Sequence, residues 1–165
     1  MSAQLPSEID LSNAFPDNVD DKVLYLQAAG HTKDYQARGG TGDRHVVLCW
    51  DNNRRGIPID ASQMIHLKGS PGGWYLELAV KQHPPGSATS NTRYTLGTFT
   101  RTQRDCVLAL AKEINFDERS RVNTCRVWTR DLLEAMAEDH SLPLTREKFE
   151  ELDREIPLLR RKPEV

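Results

Sequence analysis

The apolar residues of this chain change their spacing once, and that change limits the folds open to it. Up to Phe99 they fall in short runs, β-branched or alternating, that read as strands over 22–29, 45–50, 57–67 (interrupted at Pro58), 74–80 and 93–99. Turn-forming stretches separate them: Asp51-Asn52-Asn53, the glycine-rich 68–73, and the Pro, Gly and Ser-rich 83–91. From Thr102 onward the apolar positions recur at helical spacing. Cys106, Val107, Leu110, Ala111 and Ile114 form a stripe behind a Thr102 cap. Cys125, Trp128, Leu132 and Met136 form a second behind Asn123, and Phe149, Leu152 and Ile156 a third between a Thr145 cap and a stop at Pro157. Strands first and helices after predict an α+β domain, a small antiparallel β-sheet of about five strands with helices packed on it.

A length of 165 residues suits one domain. The expected organisation is a flexible N-terminal arm over 1–21, rich in Pro, Ser, Asn and Asp, a single domain over 22–157 and a C-terminal tail over 158–165. A net charge of −2 without a clustered basic face argues against nucleic acid as a partner. No stretch approaches the roughly 20 apolar residues of a membrane span, and residues 1–21 lack the cationic start and apolar run of a secretory signal. Cys49, Cys106 and Cys125 are scattered and form no Cys-x-x-Cys pair, which points to a reducing, cytoplasmic setting. The oligomeric state is not legible.

Cys125 is the first candidate for chemistry. It falls in the first turn of its helix, where unpaired amides and the macrodipole favour a thiolate, the form in which cysteine is a nucleophile. Taken alone it reads first as a small apolar residue on a helix stripe. His45 opens one strand and His66 lies near the end of the next. If the two strands pair, one imidazole can act as base toward the thiol and the other can orient it. Trp128, one turn after Cys125, would shield the sulfur. Zinc accepts both ligand types, but the long spacings and the missing fourth ligand argue against it, and neither metal nor other cofactor is expected. Cys49 and Cys106 read as core. Gly39-Gly40-Thr41-Gly42 lacks the lysine and context of a phosphate loop and reads as a turn beside the His45 strand, a candidate lid or wall of the site. Arg160-Arg161-Lys162 reads as a solvated basic end.

The order of "HVVLCW", "MIHLKG" and "NTCRVW" resembles the circularly permuted papain-like arrangement of lecithin retinol acyltransferase-like proteins and NlpC-type hydrolases. With "VLYLQAAG" before it, the chain is similar to a family of small fungal proteins over Lys22 to about Ile156. The resemblance implies that His45 is the base, His66 the orienting residue and Cys125 the nucleophile, and that Tyr25, Trp128 and Asn123 border a small-molecule substrate. Thr124 separates Asn123 from Cys125 where the animal acyltransferases join them, and Val46 stands where many relatives carry tryptophan. The implied function is a cysteine-dependent hydrolase or acyltransferase acting on an ester, thioester or amide. The same residues could instead transfer protons in a cyclisation or isomerisation. The alternative is an inactive scaffold that binds a small molecule or a protein.

Overall fold

The computed structural model describes residues 9–29, 45–83, 91–156 and 158–164. Five strands, β1 (Lys22–Ala28), β2 (Val46–Asp51), β3 (Ala61–Lys68), β4 (Tyr75–Gln82) and β5 (Thr92–Phe99), precede three helices, α1 (Arg101–Glu113), α2 (Cys125–Glu138) and α3 (Arg146–Glu155). All strand pairs are antiparallel, in the order β4-β3-β2-β1-β5, so a four-strand meander is completed by β5 returning beside β1. This is the α+β arrangement that the change of period predicts. No helix among the described residues is long and apolar enough to cross a membrane.

The pleat divides the sheet into two unlike faces, because successive side chains point to opposite sides. Leu24, Leu26, Ala28, Val46, Leu48, Trp50, Ile65 and Leu67 join Trp128, Leu132, Leu133 and Met136 of α2 and Phe149 and Leu152 of α3 in one buried core. Tyr25, Gln27, Val47, Cys49, Ser62 and His66 alternate with those strand residues and therefore face the other way. That second face carries the polar groups of the sheet.

Several boundaries differ from the sequence expectation. The third strand starts at Ala61, since residues before it turn back at Arg54–Ile57 and Pro58 has no N–H to give a ladder. The first helix is capped by Thr100, not Thr102: Thr100 and Gln103 form a reciprocal capping box, and Thr102 sits within the first turn. Thr124, not Asn123, caps α2, with no side-chain capping bond, while Thr145 caps α3 as expected by accepting from Lys148 N–H.

The segment before β1 lies against the domain where it is described. Leu11 and Phe15 are buried with Ala61 and Val80, and Leu11 N–H donates to the Val80 carbonyl at 2.7 Å. Asp17 receives both arms of the fully buried Arg104 guanidinium at 2.8 and 2.9 Å. The basic end is not wholly solvated either: Arg161 donates to Asp131 at 2.7 Å and to the Asn115 carbonyl at 2.8 Å. Residues 30–44, which include the glycine-rich turn, and Pro157 lie outside the described residues.

Candidate functional site

The two histidines singled out in the sequence meet on the second face of the sheet. His45 immediately precedes β2, and His66 is one step beyond the Leu48–Ile65 pair of the β2–β3 ladder. His45 Nε2 lies 2.8 Å from His66 Nδ1. On the far side, His66 Nε2 lies 3.2 Å from a carboxylate oxygen of Glu77, its direct cross-strand partner on β4. Glu77 is in turn held by Lys81 at 3.1 Å and Lys68 at 3.4 Å.

Proton positions follow from this chain. Burial alone would push the Glu77 carboxyl up, but the Lys81 hydrogen bond and the charges of His66, Lys68 and Lys81 outweigh it and hold Glu77 below the usual range. An ionised carboxylate only accepts, so His66 Nε2 carries the proton and donates. Burial, then the neighbouring His45, pushes His66 down to about 4 against the pull of Glu77, so the ring is neutral near pH 7 and its Nδ1 is bare. His45 Nε2–H must then donate to it. His45 is also held below its ordinary value, by burial and then the charge of Lys68, with Glu77 opposing. His45 Nδ1 is left as an unprotonated ring nitrogen at the outer end of the chain. Such a nitrogen is a base, and the cation formed when it takes a proton is stabilised through His66 toward Glu77.

A second polar chain lies further along the same face. Ser62 Oγ donates to Asp51 at 3.0 Å and lies 2.7 Å from His83 Nε2. Because the hydroxyl proton goes to the carboxylate, His83 acts as donor here, and Ser62 is not activated as a nucleophile. Between the two chains sits Cys49, buried opposite Tyr25 and Met64 in the ladder. Burial pushes its thiol up to about 12, so it is an inert neutral group. Across β1, Arg93 Nε donates to Gln27 at 2.9 Å, and its guanidinium carbon stands 5.4 Å from the centre of the Tyr25 ring.

Of the residues proposed from sequence, His45 and His66 are thus brought into contact and Tyr25 shares their face. Cys125 is the first residue of α2 and is buried in the helix-covered core with Ile65 and Leu67, the two residues that flank His66. The pleat therefore turns the His66 ring to the opposite side of the sheet from that core. Trp128 is also a core residue, and its indole N–H has no acceptor among the described residues. Asn123 grips the C-terminal segment: its Nδ2 donates to the Lys162 carbonyl at 2.8 Å, and its Oδ1 accepts from Lys162 N–H at 2.9 Å. Glu77, Arg93 and Gln27 were not singled out in the sequence. Among the described residues no group of three or more His, Cys, Asp or Glu side chains is arranged to hold a metal ion. No protein family, curated protein or solved structure matches this chain.

Proposed function

We propose that this chain is a cytoplasmic enzyme that transfers protons on a small carbonyl compound, with His45 as the general base. The observation that carries this reading is the unbroken His45–His66–Glu77 chain, which leaves His45 Nδ1 bare. In the reaction His45 Nδ1 takes a proton from a C–H beside a carbonyl or from an attacking hydroxyl. It returns that proton to another carbon or oxygen of the same molecule, as isomerisation or cyclisation requires. The three cysteines, none in a disulfide, suit the reducing compartment.

The test is deuterium uptake by NMR from D2O into a panel of enolisable ketones and β-keto esters. Protein-dependent exchange with at least one compound is expected, falling about a hundredfold or more in His45→Asn, the scale of a lost general base. Exchange with none of the panel, or exchange unchanged by His45→Asn, would sink the reading.

One observation favours a second reading, the thiol hydrolase or acyltransferase of a permuted papain-like protein. The connection before α2 is tied to the β3–β4 turn, through Gly72 N–H to the Glu118 carbonyl and Trp74 Nε1–H to the Ser120 carbonyl. The start of α2 is thereby drawn toward the end of the sheet that carries His45. Intact-mass labelling with a limiting alkylating agent separates the two. Preferential labelling of Cys125 that His45→Ala abolishes supports the thiol reading, and equal labelling of the three cysteines rejects it. Failure of both experiments leaves the binding scaffold.

A further inference from the structure

We propose that Arg93 is a specificity determinant of this face, and that the small molecule bound there carries a planar carboxylate. The inference rests on the proton-transfer reading for the use of the site but not for the binding itself.

The arginines with strong structural roles in this molecule have acidic partners. Arg104 is paired with Asp17, and Arg130 with Asp153 and Glu134. Arg93 is different: it is partly buried on the polar face and makes no ion pair with a carboxylate among the described residues. Asp51, a carboxylate whose charge also bears on Cys49 and His83, is engaged by Ser62. A partly desolvated cation with no counter-charge among the described residues is one whose cost a bound anion would offset.

The guanidinium is also oriented. Gln27, itself buried, fixes Nε, and the Tyr25 ring supports one side of the group. Among the described residues only Nε is engaged, which leaves the two terminal nitrogens as a fork, the geometry that matches the two oxygens of a carboxylate. The Arg93 side chain meets Gln27 and the Tyr25 ring, both on the polar face, and so lies over that face rather than away from it. Along the ladders, Arg93 pairs with Gln27 and Gln27 with Val47, the position before the Leu48–Ile65 step that leads to His66. A carboxylate held at Arg93 would therefore share one face of the sheet with the imidazoles.

The experiment uses the full chain, with benzoate as the probe and benzamide as its uncharged counterpart, titrated by NMR. Saturable benzoate binding in the millimolar range is expected, with benzamide at least about tenfold weaker. Arg93→Gln should weaken benzoate by about tenfold or more. Arg93→Lys, which keeps the charge and loses the fork, should fall between, and so should Gln27→Met, which keeps the guanidinium and loses its orientation. Each variant is checked for a native amide spectrum, and the latter two carry the test if Arg93→Gln does not fold. Equal binding of benzamide, no saturation by about 50 mM, or folded Arg93 variants that bind as tightly as the wild type would overturn the proposal. His45→Asn should retain benzoate binding. Deuterium exchange that fails while Arg93-dependent binding persists removes the proton-transfer reading alone, and exchange that persists without benzoate binding removes this one alone.

Discussion

Glu77 decides where each proton in the histidine chain sits, because it is the one member that can only accept. A carboxamide in its place could donate as well as accept. With the amide N–H turned toward His66 Nε2, both tautomers invert and His45 Nδ1 carries the proton, so the base is lost. Glu77→Gln is therefore expected to lower exchange activity by about tenfold or more, and nitrogen NMR of the His45 ring should report mixed tautomers. Glu77→Asp keeps an acceptor and should lose less. An unaltered His45 tautomer in Glu77→Gln would refute this account of the chain. The pairing of His45 with His66 is legible from sequence because it needs only two neighbouring strands. Glu77 is not, because its place opposite His66 depends on the register set by the 69–74 turn. The face of His66 is legible: Ile65 and Leu67 flank it, so the pleat turns the ring away from the surface on which the Cys125–Trp128–Leu132–Met136 stripe must pack. Asn123 is a case where residue type misleads, since a good capping residue here serves the C-terminal segment.

The β3–β4 hairpin is the element on which the chain depends, and its turn is unusually demanding. Gly69 has a φ of 107°, and a Cβ there would collide with the Gly73 carbonyl oxygen. Gly56 also has a positive φ, 82°, but a Cβ there meets nothing within 4 Å. Gly69→Ala should therefore cost about 2 kcal/mol or more and lower Tm by roughly 4 °C or more, while Gly56→Ala should cost about half as much. Because the Gly69 turn aligns His66 with Glu77, Gly69→Ala should also lower exchange activity, and Gly56→Ala should not. Equal Tm shifts for the two variants, measured by calorimetry, would contradict the steric argument. Helix positions were legible from their stripes, and Thr145 from its cap. Thr100 and Thr102 are two plausible caps two residues apart, and only the glutamine three residues after Thr100 separates them.

At the scale of the whole molecule the single change of hydrophobic period was enough to define the α+β class. It could not place β5 beside β1, a pairing between strands that three others separate in sequence. What that topology creates is a sheet with one face packed by helices and the other burying neutral histidines, and this makes stability depend on pH. His45, His66 and His83 are each held below the ordinary value of 6.5, in every case chiefly by burial. The unfolded chain therefore binds protons that the folded chain excludes. Stability is fully present above the unfolded value of 6.5 and falls as pH drops from there toward the folded value of about 4 for His66. His66 alone should account for about 2 kcal/mol of loss between pH 7 and pH 5. Glu77 and Asp17, whose folded values are lowered, add their own losses only at lower pH, as their carboxylates are protonated. Urea unfolding at pH 7, 6 and 5 should show this decline, and His66→Gln should flatten it even if the variant is less stable at pH 7. An undiminished slope in His66→Gln would mean that the buried imidazole does not exclude protons. The neutral His66 on which the bare His45 nitrogen depends would then fail with it.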